Sequence, residues 1–213
     1  MPFGNVATAP GLALSDLVAD IRSCRICVES PRGKPLPHEP RPVLQTSGTA
    51  RLVVCGQAPG TRVHESGRPF TDRSGDRLRE WMGITSDEFY DQARIAIVPM
   101  GFCFPGNDAK GGDLPPRREC APRWHGRLFA ALPQVEFVLA VGLYAQDFLL
   151  GDTKGKTLQE TMLRWSEHLK TKRRPRILPL PHPSWRNNAW LTNNPWFQSE
   201  LLPVLQREVR RLL

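Results

Sequence analysis

Residues 51–60 are Arg-Leu-Val-Val-Cys-Gly-Gln-Ala-Pro-Gly, a short apolar run that passes directly into a glycine-rich turn. An apolar run of this length bounded by glycine is typical of a strand buried on both faces of a sheet. Three similar runs follow along the chain, at 94–98, 137–141 and 176–180. The sequence therefore predicts four buried strands, the first of which leads into a turn with little side-chain bulk.

Helical patterns separate and flank these runs. They lie at 12–22, 73–82, 117–132, 143–150 and 157–169, and a last helix is predicted at 195–212, with Pro195 at its start. A proline is tolerated in the first turn of a helix. The five prolines within 29–50 predict a surface loop. Strands that alternate with helices indicate an α/β fold with a parallel sheet between helix layers, and we expect one domain over 1–213.

The loops that follow the strands carry the candidate binding residues. Ligands of parallel sheets bind at the carboxyl ends of the strands, which brings together the loops 56–70, 99–107 and 181–188. The glycines at 56 and 60 allow a backbone to approach a ligand closely, and the amides of Gln57 and Ala58 are available as donors. Phe70 offers an aromatic face, and His182 follows the fourth strand directly. These loops predict one site.

Four of the five cysteines occur in a pattern that suggests a metal site. Cys24 and Cys27 form a C-x2-C pair, and Cys103 and Cys120 follow much later in the chain. Four thiolates from distant segments can hold one iron–sulfur cluster or one zinc ion. The alternative is that these cysteines are buried without a ligand. Cys55 lies within the first apolar run and is predicted to belong to the core.

The charge of the chain points to a polyanionic partner. The net charge is +8 and the sequence pI is about 9.7, so nucleic acid is the leading candidate. Basic residues cluster at 117–123, 170–176 and 207–211. No apolar stretch is long enough to cross a membrane, and the first 20 residues lack a signal-peptide pattern. We therefore expect a cytoplasmic protein without a membrane partner.

The ordered combination of these motifs resembles the uracil-DNA glycosylase superfamily, and most closely its iron–sulfur branch of the family 4 type. The turn 56–60 is similar to that branch's Gly-Glu-Ala-Pro-Gly motif, residues 67–75 to its Gly-x-Pro-Phe…Gly segment, and residues 182–184 to its His-Pro-Ser motif. The resemblance covers roughly residues 20–190. It implies a three-layer α/β/α sandwich around a four-stranded, mostly parallel sheet.

The resemblance also implies an activity and a cofactor. It suggests a DNA repair enzyme that flips uracil out of DNA and hydrolyses its N-glycosidic bond, which leaves an abasic site and an uncut strand. By analogy, His182 stabilises the negative charge on the departing base and Phe70 stacks on the flipped uracil. The four paired cysteines would bind a structural [4Fe–4S] cluster. We expect a monomer that acts on uracil-containing DNA.

Three positions depart from the family pattern. Gln57 replaces a glutamate, His64 stands where the loop carries an acidic residue, and Pro99 replaces the base-reading asparagine. We expect Gln57 to belong to the catalytic turn and His64 to orient or deprotonate the attacking water. Base discrimination is then expected from Met100, Gly101, Asn107 or an ordered water. Phosphate contacts near the flipped nucleotide are expected from Ser184, Arg186 and Asn187, whereas Trp185 is either a contact or a packing residue.

Three other functions share parts of this sequence pattern. Residues 151–157 look like a phosphate-binding loop, but they are one residue short of the motif and follow a predicted helix. A non-catalytic metal-cluster module that binds nucleic acid would keep the cysteines and the basic clusters, but it would not need Phe70, His64 and His182 at one sheet edge. A superfamily member that is trapped on its product uses a histidine that the 151–157 loop lacks.

Overall fold

The computed structural model describes residues 13–172 and 174–213. Its sheet has four strands: β1 (Leu52–Cys55), β2 (Ile95–Ile97), β3 (Phe137–Val141) and β4 (Arg176–Leu180). The strands lie in the order β2-β1-β3-β4, and every neighbouring pair is parallel. In register, Val53 of β1 is paired with Ala96 on one side and Val138 on the other. The predicted four-stranded sheet is confirmed, and it is parallel throughout.

Eleven α-helices occur in the described part of the chain. Those before β3 are α1 (Leu14–Arg22), α2 (Ile26–Glu29), α3 (Thr61–Ser66), α4 (Arg73–Met82), α5 (Ser86–Tyr90) and α6 (Cys120–Ala130). Those after it are α7 (Leu143–Leu150), α8 (Leu158–Leu163), α9 (Trp165–Lys170), α10 (Asn188–Asn193) and α11 (Leu202–Leu212). Two 3-10 turns lie at Gly151–Thr153 and Trp185–Asn187, and a π turn at Phe197–Leu201 precedes α11.

Successive residues of a strand point to opposite faces of the sheet. Because the strand residues here are apolar on both faces, helices must cover both of them. Val53 and Val138 pack in one core with Trp124 and Leu128 of α6. Leu52, Val54 and Leu139 pack in a second core with residues from α4 and α11. All of these strand side chains are fully buried. The fold is therefore an α/β/α sandwich, as the sequence predicted.

Several predicted helices differ at their ends. The pattern at 157–169 forms two helices, because Arg164 leaves helical geometry (φ −93°, ψ 10°) and lies between α8 and α9. The helix predicted at 117–132 begins only at Cys120, and the side chain of Arg117 is bound to the carbonyl of Lys34 and to Glu119. The segment 61–66, expected as loop, is α3. This last difference changes the direction in which its side chains point.

The proline-rich segment 29–50 covers one edge of the sheet. Apart from the last residue of α2, it forms only an isolated bridge, in which Gln45 and Ile97 exchange two backbone hydrogen bonds of 3.0 and 2.7 Å. Backbone groups at the edge of β2 are thereby satisfied. None of the helices in the described part of the chain has the length and apolar character that crossing a bilayer requires.

Candidate active site

A cavity of about 490 Å³ opens at the carboxyl edge of the sheet. Segments that follow all four strands line it: the turn 56–60 after β1, Pro99 after β2, Gly142 after β3 and residues 182–187 after β4. Eight of the residues singled out from sequence as candidate contacts meet here, namely Gln57, Ala58, Phe70, His182, Ser184, Trp185, Arg186 and Asn187. The topology thus brings together residues that are up to 129 positions apart, from 57 to 186.

Phe70 presents a fixed aromatic face to this cavity. Its φ of 56° lies in the left-handed region, which a non-glycine residue adopts at a cost, so the surrounding contacts must hold it. Its carbonyl accepts hydrogen bonds from Arg79 Nη1 at 3.2 Å and Tyr90 Oη at 3.1 Å. Its ring lies over Gly56, where an added Cβ would come within 3.0 Å of Cζ. A planar ligand therefore meets a ring that is already positioned.

Gly75 in α4 makes this arrangement of Phe70 possible. A Cβ at position 75 would lie 1.9 Å from the carbonyl oxygen of Phe70, a distance that no side chain can tolerate. The amide of Gly75 donates to the carboxylate of Asp72 at 3.0 Å, which caps the N-terminus of α4. The start of α4 and the turn at Phe70 are therefore packed backbone against backbone.

His182 enters the cavity from the end of β4. Its ring lies against Gly142, where an added Cβ would be 3.5 Å from Cδ2. Asn187 Nδ2 donates to the carbonyl of His182 at 2.7 Å and fixes its backbone. Burial lowers the pKa of the ring, a trend that Asp72 opposes and Arg186 assists. No described residue hydrogen-bonds the ring nitrogens, so a neutral imidazole is available to a ligand.

Two backbone amides in the first turn are also available. The N–H groups of Gln57 and Ala58 donate to no other residue in the described ranges, whereas the carbonyls of Gly56 and Gln57 accept from Met100 and Gly101. An aromatic face, an imidazole and two unpaired amides around one cavity can bind a planar heterocycle and stabilise negative charge that develops on it.

The sequence of the chain was also compared with models of protein families. The model described as the uracil DNA glycosylase superfamily matches residues 44–206. The chain belongs to the uracil-DNA glycosylase superfamily. It is therefore a DNA glycosylase, a DNA repair hydrolase that acts on DNA. The match includes the four strands and every residue that lines the cavity except Val43, whereas Cys24 and Cys27 lie before its first residue.

Four residues expected in the glycosylase site do not line the cavity: His64, Met100, Gly101 and Asn107. His64 lies on α3, where successive residues point about 100° apart. Its neighbour Val63 lines the cavity, and the His64 ring instead packs against His38 and Phe104, with ring centroids 4.4 and 5.7 Å away. Burial lowers the pKa of His64. Its role in activating water stays a prediction.

The segment after β2 offers few donors for reading a base. The amides of Met100 and Gly101 donate to the carbonyls of Gly56 and Gln57 at 3.0 and 2.9 Å. Pro99 lines the cavity, but its carbonyl is bonded to His125 Nε2 at 3.0 Å. These bonds hold the segment against the first turn, so its amide donors are not free for a base. Asn107 lies on an exposed loop and is bridged to Asp113.

The rim of the cavity carries a cation and exposed apolar side chains. Arg186 is exposed, and its guanidinium packs on Gly112 of the facing loop, where an added Cβ would be 2.9 Å from Nη2. Ser184 is held by Arg77, whose Nη1 donates to its carbonyl at 3.3 Å. Trp185 is 73% exposed, so the alternative in which it packs into the protein is wrong. Both Trp185 and Arg186 are accessible to DNA.

One functional candidate was missed from sequence. Asp113 lines the cavity from the loop between Gly106 and Leu114, and its carboxylate lies against Gly60 of the first turn. The loop closes on itself, since Leu114 N donates to the carbonyl of Gly106 and Asp108 accepts from two amides of the loop. An aspartate within a stretch of glycines and prolines gives no sequence signal that it faces a site.

The four paired cysteines meet in a second, small cavity on the side of α6. Arg117 and Trp124 are among the other residues that line this cavity. All four cysteines are free thiols. Burial raises the pKa of the thiols of Cys27, Cys103 and Cys120, that of Cys103 to about 12. No group of three or more His, Cys, Asp or Glu side chains in the described ranges is arranged to hold a metal ion. Cys55 is fully buried in β1, as predicted.

Proposed function

We propose that this glycosylase removes uracil from DNA by hydrolysing the bond between the base and C1′ of deoxyribose. The observation that carries the proposal is the placement of Phe70, His182 and the two free amides of the first turn around one cavity. A planar base with a carbonyl next to the glycosidic nitrogen fits these groups. The turn packs against Phe70 through Gly56, so stacking and charge stabilisation act on the same base.

The first step is capture of the flipped base. A base buried in duplex DNA must leave the stack, at a cost of a few kcal/mol, and the cost is lowest in single strands. Stacking on Phe70 offsets part of it, since one base–aromatic contact is worth roughly 1–3 kcal/mol. Arg186 and Ser184 at the rim then contact the phosphates that flank the flipped nucleotide.

Bond cleavage moves negative charge onto the base and positive charge onto the sugar. His182 donates a hydrogen bond to uracil O2 as that oxygen becomes anionic, and Gln57 and Ala58 contribute their backbone amides. Because burial keeps the His182 ring neutral, its remaining N–H is the donor and no buried positive charge is needed. These donors are fixed before the reaction, so they need no reorganisation as charge develops.

We also propose that Cys24, Cys27, Cys103 and Cys120 bind a [4Fe–4S] cluster. The described structure does not arrange these side chains around a metal ion, so the proposal rests on chemistry: four free thiols from three segments line one cavity, and ionising buried thiols needs nearby positive charge. The cluster's iron ions would supply that charge and crosslink the segments. Through this link the α1–α2 connection and α2 would be tied to the loop after β2 and to the start of α6, at a distance from the base cavity.

A direct assay tests the uracil proposal. Purified protein is incubated with single- and double-stranded oligonucleotides that contain one uracil, and alkali then cleaves any abasic site. We expect cleavage at the uracil position after alkali and an intact strand without it, and no cleavage of the matched thymine oligonucleotide. Binding of the uracil strand without any release of free uracil would instead favour a non-catalytic binding module.

The cluster proposal is tested by composition and colour. Protein purified without oxygen should be brown and contain iron and acid-labile sulfide in equal amounts, because iron–thiolate clusters absorb visible light. Cys24→Ala should lose the colour, whereas Cys55→Ala, which changes a cysteine outside the cavity, should keep it. Colourless protein with stoichiometric zinc would contradict the iron assignment.

A further inference from the structure

Hydrolysis by this glycosylase needs a group that activates water beside C1′. The first turn, residues 56–60, contains no carboxylate, and Ala58 and Gln57 cannot act as bases at neutral pH. His64 packs against His38 and Phe104 and does not line the cavity. The structure therefore favours an acceptor on the cavity wall over His64 for this water.

Asp72 and Asp113 are the carboxylates that line the cavity within the described ranges. Asp72 caps α4, because its Oδ1 accepts from the amide of Gly75 at 3.0 Å. The Asp113 side chain has no hydrogen-bond partner among the residues that the structure describes. The two aspartates thus differ in role: one holds a helix, and the other has an uncommitted acceptor next to the ligand space.

The position of Asp113 is set by two loops that face each other across the cavity. Its Oδ2 would be 3.2 Å, and its Oδ1 3.8 Å, from a Cβ added to Gly60, so the carboxylate lies on the backbone of the first turn. A side chain at position 60 would push it away. The glycine therefore leaves room for a carboxylate that arrives from a loop 53 residues further along the chain.

We propose that Asp113 is the general base that activates the hydrolytic water. As the C1′–N1 bond breaks and its electron pair leaves with the base, the water oxygen forms a bond to C1′. One proton of that water passes to the Asp113 carboxylate and then, through solvent, to the departing base anion. This inference rests on the proposed glycosylase reaction and adds the residue that the first turn lacks.

The charges around Asp113 set the pH at which it acts. Burial and the neighbouring Asp72 raise its pKa above the ordinary 3.8, while Arg186 from the loop after β4 opposes the rise. Asp108 on the same loop is held by the amides of Lys110 and Gly112, and His182 lines the same cavity. A general base must be ionised, so the rate should fall as pH drops through this raised pKa.

The test compares three substitutions in single-turnover excision of uracil from a single-stranded oligonucleotide. Asp113→Asn keeps the size of the side chain and removes the base, so the rate should fall about 10²-fold and the acid limb of its pH profile should disappear. Asp113→Ala should be slow as well, and added formate should restore part of its rate. Asp87→Asn, at an exposed aspartate outside the cavity, makes the same charge change and should leave rate and profile unchanged.

The result for Asp113→Asn and the result for the parent protein test the two proposals separately. If the parent protein excises uracil and folded Asp113→Asn does so at the same rate with the same acid limb, the role of Asp113 is refuted and the glycosylase proposal stands. Loss of rate without any rescue of Asp113→Ala by formate, and with the acid limb retained, would assign Asp113 a structural role and also overturn the inference. A parent that releases no uracil overturns both proposals.

Discussion

Among single residues, the site depends most on Phe70 and His182, whose rings pack closely against the backbone of neighbouring glycines. Phe70 has a left-handed backbone, two donors on its carbonyl and a ring in contact with Gly56. None of the residues that the structure describes bonds the nitrogens of the His182 ring, which lies against Gly142. Both residues are thus arranged for a ligand before one arrives.

His182→Ala removes a donor from the place where negative charge develops on the base. Losing one such donor typically costs about 10²–10³-fold in rate. We expect this loss in single-turnover excision of uracil, with the melting temperature near that of the parent because the ring makes no hydrogen bond to the described protein. Near-parental excision by a folded His182→Ala would mean that the amides of the first turn carry the charge alone.

Gly75→Ala tests the packing behind Phe70. The added methyl would lie 1.9 Å from the Phe70 carbonyl oxygen, so the turn must move and Phe70 must leave its left-handed conformation. We expect weaker binding of uracil-containing DNA and a lower melting temperature. Gly126→Ala is the matched control, since an added Cβ on that helical glycine meets nothing within 4 Å and alanine favours helices. Equal effects of the two substitutions would refute this account.

At the scale of elements, α6 connects the two cavities. The helix begins with Cys120, whose sulfur accepts from the amide of Phe102 at 3.4 Å. One and a half turns later, His125 bonds the carbonyl of Pro99 and stacks on Phe102, with ring centroids 5.1 Å apart. The helix therefore holds the segment after β2 at both ends, and this segment in turn holds the first turn through Met100 and Gly101.

Because His125 is buried, we expect the free energy of unfolding to depend on pH. Burial lowers its pKa from 6.5 to about 4, although the bond to Pro99 opposes the change. The unfolded chain therefore binds a proton that the folded chain does not, and stability should fall as pH drops from about 6.5 towards 4, by at most roughly 3 kcal/mol. Above pH 6.5 this contribution is fully present.

His125→Phe separates this effect from other titrating groups. Phenylalanine keeps the stacking on Phe102 and cannot be protonated, but it leaves the buried carbonyl of Pro99 without its donor, which costs about 1–3 kcal/mol. Urea unfolding at pH 7.5 and pH 4.5 should show a lower stability at pH 7.5 and a smaller loss on acidification than in the parent. An equal loss in both proteins would place the acid sensitivity elsewhere.

At the scale of the whole molecule, the positive charge is distributed differently from what the sequence clusters suggest. The basic segment 170–176 precedes β4, and so it lies at the sheet edge opposite the cavity; Arg173 falls outside the described residues. Arg210 and Arg211 are paired with Glu88, Glu136 and Glu208, and Arg117 with Glu119. We therefore expect direct contact with DNA at the cavity from rim residues such as Arg186.

The salt dependence of DNA binding should show whether DNA binds at the cavity edge of the sheet or at the opposite edge, where the segment 170–176 lies. Each phosphate contact that is lost lowers the slope of log affinity against log salt by about one. Arg186→Ala should reduce this slope and weaken binding to all sequences. Lys172→Ala removes the same charge at the opposite edge and should have a smaller effect. The larger effect at Lys172 would locate the DNA path on the face where the sequence clusters first suggested it.

Local hydrophobic patterns are enough to predict the strands, their parallel arrangement and most of the cavity. Val53, Val138 and their neighbours are apolar on both sides, which only a sheet covered on two faces can bury. His182 lies just after β4 and Phe70 lies in the segment after β1, and parallel strands bring their carboxyl ends together whatever lies between them. Family motifs at these positions then indicated the reaction class, which the family match supports.

Contacts between distant segments determine which side chains face the cavity and which donors are free. Because residues 61–66 form a helix, the His64 side chain points away from the cavity and packs against His38. The amides of Met100 and Gly101 are already hydrogen-bonded to backbone carbonyls. Asp113 reaches Gly60 through the closure of a loop whose sequence carries no periodic pattern. Strands follow from local hydrophobic patterning, whereas side-chain direction and hydrogen-bond pairing depend on contacts between segments far apart in the chain.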